Sequence, residues 1–141
     1  LYRLSLECFR ENLLFTPIGW EEFAELYRPL RSHLQEGLSW VAESGGAPAG
    51  FVFGIPDLSQ AGRGAAVDTV ILKTLATRPE LRGQGVGHAL TLRCLAGARQ
   101  LGYRHVIFAL IRAGNPSGRI IASYAEPIRA YTLFARELDP P

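Results

Sequence analysis

"TLATRPELRGQGVGHAL", Thr74 to Leu90, carries an apolar run to an Arg-Pro pair, passes an arginine, and places Gly83, Gly85 and Gly87 within five residues before the pattern turns helical. A helix start leaves four main-chain N–H groups without intrahelical acceptors and carries partial positive charge, so an anion placed there is stabilised twice over. Glycines remove the side chains that would hold such an anion away. The turn between Leu81 and His88 therefore reads as a pyrophosphate seat, with Arg82 able to add charge-assisted hydrogen bonds. The plainer alternative is a tight strand-to-helix connection, and glycine spacing alone does not separate the two. Two familiar phosphate loops do not fit: the dinucleotide fingerprint needs glycine where His88 stands, and the Walker loop needs a Gly-Lys-Ser/Thr ending.

Outward from the turn, Val67 to Thr77 is apolar on both parities apart from Asp68 and Lys73, which predicts a strand buried on both faces in mid-sheet. On the other side, positions 86, 90, 94, 98 and 101 are apolar at helical spacing and Gly102 closes the helix. His105 to Arg112 predicts a second apolar strand. A short helix follows from Ser117 to Tyr124, Pro127 breaks it, and Arg129 to Leu138 ("RAYTLFAREL") reads as a final strand.

Toward the start of the sequence, Leu1 to Phe15 is nearer to helical than alternating in pattern, and Thr16-Pro17-Ile18-Gly19 breaks it. A second helix follows, with Gly19 as cap, Glu21 and Glu22 in its first turn, a stripe of Phe23, Leu26, Leu30 and Leu34, and a kink at Pro29. Ser39 to Glu43 and Ala49 to Ile55 flank "SGGAP" and predict a hairpin. Pro56 to Ala66 reads as a mobile loop. The element order predicts a mixed α/β fold with helices packed on one sheet.

The bulk numbers bound the function. With 141 residues, 48% of them hydrophobic, a single domain with a real core is expected. The longest apolar run, Val106 to Ile111, is far too short to span a bilayer, and no secretory signal is evident, so a soluble, cytoplasmic protein is the expectation. A net charge of +2 with scattered basic residues argues against nucleic acid as a partner. Cys8 and Cys94 lie far apart, which suggests neither a disulfide framework nor a metal cluster. The absence of methionine and an opening inside a helix suggest a piece of a longer protein. Fourteen arginines stand against one lysine, Lys73.

Arg82-x-x-Gly85-x-Gly87, preceded by "LATRPE" at the end of a buried strand, resembles the coenzyme A signature of the GNAT N-acetyltransferase superfamily. Leu75, Pro79, Glu80, Arg82, Gly83, Gly85 and Gly87 match that family's pattern, and Thr77 replaces its usual valine. The resemblance implies a largely antiparallel sheet flanked by helices, lacking the family's first strand, so that a second GNAT-like domain or a second subunit would complete the sheet. It implies acetyl-CoA as co-substrate, no metal, and transfer of an acyl group to a small-molecule or peptide amine by direct attack. It further implies that Leu75, Ala76 and Thr77 bond the pantetheine arm as an added strand would. Main-chain groups of Arg82, Gly83, Gln84, Gly85, Val86, Gly87 and His88 would take the pyrophosphate, and Asn115 would contact the coenzyme from its other side. By itself Asn115 is equally a turn former before proline.

The chemistry is less evenly marked. Family members often place a tyrosine seven residues after the asparagine to protonate the sulfur; here that position is Ala122, and Tyr124 and Tyr131 are the substitutes, each also readable as a half-buried core phenol. The family's general base is often an acid about where Lys73 stands. A solitary lysine on a doubly buried strand is a peculiar choice, because lysine can lose its proton when desolvated and arginine cannot. Lys73 is expected to face the acceptor cavity and either to bind an acidic substrate group or to tune Asp68; the alternative is a structural lysine at a sheet face. The rival to an enzyme is a catalytically silent GNAT-like domain that binds acyl-CoA and serves regulation or assembly.

Overall fold

The computed structural model describes residues 1–137. The chain runs α1 (Tyr2–Phe9), α2 (Trp20–Tyr27), a 3-10 helix (Arg28–His33), β1 (Ser39–Ser44), β2 (Ala47–Pro56), α3 (Leu58–Gly62), β3 (Thr69–Thr77), a 3-10 turn (Pro79–Leu81), α4 (Val86–Gln100), β4 (His105–Phe108) and α5 (Pro116–Ile121). The four strands form one sheet in the order β1-β2-β3-β4, antiparallel except for the parallel pair β3/β4. The β1/β2 hairpin turns on Gly45 and Gly46, both at positive φ, the backbone a two-residue hairpin loop requires.

Helices cover both faces of the sheet. On one, Leu4 and Cys8 of α1 pack with Phe51, Phe53 and Ala76, and Tyr27 and Leu30 close over them. On the other, Leu90 and Cys94 of α4 meet Val52 and Leu72, while Ala98 meets Leu38 and Val70. Of the apolar stripe expected of α4, Leu90, Cys94 and Ala98 are buried and Val86 is half-buried, whereas Leu101 at the helix end is exposed. No helix among the described residues is long and apolar enough to cross a membrane.

Several expected elements differ. The first helix stops at Phe9 instead of Phe15, because continuing the Leu4–Cys8 stripe needs apolar residues where Glu11 and Asn12 stand; Leu13 and Leu14 beyond it are exposed. Pro29 does more than kink the second helix, since the chain tightens there into the 3-10 segment. The loop expected from Pro56 to Ala66 contains α3, whose start is capped by the Asp57 carboxylate accepting from the Ser59 N–H at 3.1 Å. β4 ends at Phe108 rather than Arg112, and Leu110 then takes a left-handed φ of 44° that no strand sustains. The strand expected over 129–138 is absent from 129–137, and Leu138 lies outside the described residues. Its apolar residues break alternation at Leu133 and Phe134, both exposed, and a four-residue β4 offers little edge to pair with.

Candidate functional site

The glycine turn is built as a bare helix start. Arg82 N–H donates to the Pro79 carbonyl and Gln84 N–H to that of Leu81; the next main-chain bond is Ala89 N–H on the Gly85 carbonyl. Among the described residues, the N–H groups of Gly85, Val86, Gly87 and His88 therefore have no main-chain acceptor. Gly85 caps α4 in the left-handed conformation, φ 84°, and a Cβ added there would meet nothing within 4 Å. Gly87 is bare for a different reason: its Cβ would come within 3.3 Å of Ile120 Cδ1 and 3.5 Å of Thr77 Oγ1, so α4 packs tightly between the end of β3 and α5. Gln84 folds back, its Nε2 donating to the Glu80 carbonyl at 3.0 Å. The open N–H run beside an unobstructed glycine suits a diphosphate.

Next to the turn the parallel pair comes apart. Among the described residues β4 pairs with β3 only over Thr69 to Leu72, so the rest of β3 has a partner on the β2 side alone. The β2 register jumps from Phe53↔Thr74 to Gly54↔Leu72, which leaves Lys73 as the extra residue of a bulge. Main-chain groups alternate in direction along a strand, and the bulge shifts that alternation. Leu72 offers its carbonyl to Ala109 N–H on the β4 side, whereas Arg78 N–H donates to the Ala49 carbonyl on the β2 side. Counting back from Arg78, Ala76 faces β2, and Leu75 and Thr77 face the parting. Of the three residues expected to form a strand-like edge, Leu75 and Thr77 thus present main-chain groups to the gap, while Ala76 presents its own to β2.

A cleft of about 360 Å³ occupies this parting. Lys73, Thr74 and Leu75 of β3, Phe108 to Ile111 at the end of β4, and Asn115, Ser117 and Ile121 of α5 line it, with Phe9, Asn12, Leu13 and Phe15 closing the α1 side. Of the residues singled out in the sequence, the structure brings Lys73, Leu75 and Asn115 to this cleft. Asn115 caps α5, its Oδ1 accepting from Ser117 N–H at 3.0 Å and Ser117 Oγ at 2.8 Å, so its turn-forming role is realised at the rim of the cleft.

Three expected placements are revised. Lys73 is exposed rather than doubly buried, with Nζ 5.3 Å from the centroid of the Tyr27 ring on the α1/α2 side of the sheet. Asp68 is not its neighbour: that carboxylate accepts from Gln60 Nε2 at 2.9 Å and Thr69 Oγ1 at 3.0 Å and lies 3.6 Å from His105 Nδ1. The hydrogen bond from Gln60 first, then that from Thr69, hold the Asp68 carboxyl below its ordinary range. Arg82 does not aim its guanidinium at the turn; Nη2 donates to the Cys8 carbonyl at 2.9 Å, fixing the last turn of α1 against the glycine segment. Its cationic head there complements the helix C-terminus.

Tyr124 stands outside the cleft lining, its hydroxyl 3.1 Å from His88 Nε2 and 3.3 Å from Nδ1, so the phenol is held at the first turn of α4. Tyr131 is exposed and accepts from Arg129 Nη1. The aromatic residues Phe9 and Phe15 at the cleft were missed from sequence, because the stretch holding them reads as one continuous helix. Tyr27 was missed as the partner of Lys73, since nothing local links residues on different elements.

The Acetyltransferase (GNAT) family model matches residues 1–119. No curated protein sequence matches the chain significantly. Among solved structures, the integron cassette protein HFX_CASS3 from the Cole Harbour Salt Marsh metagenome is 18% identical, with TM-score 0.68, over 100% of this chain and 84% of that one. AAC(6')-Iy in complex with a bisubstrate analogue, CoA-S-monomethyl-acetylneamine, is 14% identical, with TM-score 0.64, over 97% and 88%. The aminoglycoside acetyltransferase meta-AAC0020 from an uncultured soil sample, in complex with sisomicin, is 15% identical, with TM-score 0.61, over 100% and 86%. These likenesses show a common fold of helices on a mixed sheet. With its family model matched over most of its length, the chain belongs to the GNAT acetyltransferase family.

Proposed function

We propose that the chain is a coenzyme A-dependent N-acyltransferase acting on a primary amine. The observation that carries this is the run of four successive N–H groups from Gly85 to His88, open beside a β3 segment whose Leu75 and Thr77 main-chain groups face a parted sheet. In this reading the Gly85–His88 amides hold the diphosphate of the coenzyme, Leu75 and Thr77 hold its pantetheine arm, and Asn115 and Ser117 bound the opposite wall. When bound, acetyl-CoA supplies an activated acyl carbonyl. Main-chain N–H groups of β3 facing the gap would polarise that carbonyl, and Tyr124, held by His88, would give its proton to the leaving sulfur and recover one from the attacking nitrogen as that nitrogen becomes an amide. No metal is invoked.

A second reading has its own support. Ala122 stands where the family's tyrosine is often found, and the Tyr124 hydroxyl is engaged by His88 outside the cleft lining. That arrangement suits a silent acyl-CoA-binding module. The outer edges of β1 and β4, unpaired among the described residues, would let either kind of protein join a second copy or another GNAT-like domain. Incubation with acetyl-CoA and a panel of primary amines, with free thiol followed over time, separates the two. Thiol release that requires an amine is the expected result. Coenzyme-dependent thermal stabilisation without release across the panel would support the silent module instead.

A further inference from the structure

Charge decides which amines can enter the cleft. Among the described residues its lining holds aromatic and aliphatic side chains, the neutral polar groups of Asn12, Thr74, Asn115 and Ser117, one cation, Lys73, and no carboxylate. Lys73 reaches it from the β3 bulge on the side closed by Phe9 and Phe15, opposite the face on which α4 packs. No carboxylate among the described residues lies within salt-bridge distance of its Nζ, and Asp68 is engaged with Gln60 and Thr69. Its one aromatic contact, over Tyr27, leaves the ammonium's remaining donors available.

A polycationic acceptor, such as the aminoglycosides bound by the structural neighbours, would meet an ammonium in this cleft and find no acid to pair with. Specificity follows from such unpaired and like-charge contacts as much as from attraction. We propose that the acceptor is a small primary amine bearing a carboxylate and an apolar body, an amino acid with a hydrophobic side chain being the simplest case. Lys73 pairs with the carboxylate, and the Phe9/Phe15 wall takes the apolar part. This rests on the acyltransferase reading for the identity of the cleft as an acceptor site, but its test need not depend on turnover.

The test is calorimetric titration of the full chain, saturated with coenzyme A, with N-acetyl-L-phenylalanine, its methyl ester, and sisomicin. The free acid should bind about tenfold more tightly than the ester, the value of one charge-assisted contact, and sisomicin should not bind detectably. Lys73→Gln should bring the acid down to the ester's affinity and leave the ester and coenzyme A affinities unchanged, which excludes misfolding as the cause. Lys73→Arg, which keeps the charge, should retain part of the preference. Equal affinities for acid and ester, tighter binding of sisomicin, undetectable binding of the acid, or a preference that survives Lys73→Gln would each overturn the proposal. Thiol release with cationic amines but not with phenylalanine would overturn it while sparing acyl transfer. Absence of release from every amine, with the Lys73-dependent preference intact, would count against catalysis and leave the ligand class standing.

Discussion

Replacing Gly85 by valine is expected to weaken coenzyme A binding by about 10- to 100-fold, the loss of one or two hydrogen bonds to a charged group. Gly85 has φ 84° at the start of α4, and nothing lies within 4 Å of where its Cβ would stand. A branched Cβ at that position both strains the backbone and stands where the diphosphate is proposed to sit. The strain alone costs about 1–2 kcal/mol of stability. Gly45→Val supplies the control, because Gly45 also has positive φ (59°) and nothing within 4 Å, but lies at the hairpin tip. Both variants should lose stability in urea unfolding, and only Gly85→Val should lose affinity by calorimetry. Equal affinity for all three proteins would remove the diphosphate from this turn.

The largest stability effect is expected at Gly97. A Cβ there would run into the Gly37 carbonyl oxygen and come within 2.6 Å of the carbonyl carbon. Both partners are backbone, so no rotamer change relieves the overlap, and α4 must shift away from the segment preceding β1. That shift disturbs Leu90, Cys94 and Ala98, which bury α4 against the sheet. Gly97→Ala should therefore destabilise the fold by about 3 kcal/mol, at the upper end for overpacked sites. A melting temperature lower by roughly 10 °C follows for a chain of this size. Gly62→Ala in α3, where nothing lies within 4 Å, should be neutral or slightly stabilising. An unchanged melting temperature for Gly97→Ala would show that α4 does not approach Gly37 so closely.

The parts of the fold legible in the sequence are those written in short-range chemistry. The Gly45-Gly46 turn, the α4 stripe from Leu90 to Ala98 and the bare approach to Val86 each follow from a few adjacent residues, and the structure has each of them. The features that differ from expectation depend on partners distant in the chain. The bulge that exposes Lys73 exists only in the register of β3 against β2, so a strand apolar on both parities looked buried throughout. Arg82 adjoins the expected anion seat in sequence, yet the acceptor of its guanidinium is the Cys8 carbonyl, 74 residues away in the chain. "RAYTLFAREL" reads as a strand in isolation, but a strand forms only where another edge receives its amides. α3, by contrast, is signalled locally by Asp57 two residues before Ser59, a capping pair that sits ahead of a run of glycines and alanines.

The central claim concerns which main-chain amides meet the coenzyme, and amide resonances of uniformly 15N-labelled protein titrated with coenzyme A test it residue by residue. The account predicts that Gly85, Val86, Gly87 and His88 shift most, together with Leu75 and Thr77 on the open side of β3, while Ala76, whose main chain faces β2, moves less. Saturable shifts confined to other parts of the sheet, with those six amides unmoved, would contradict it.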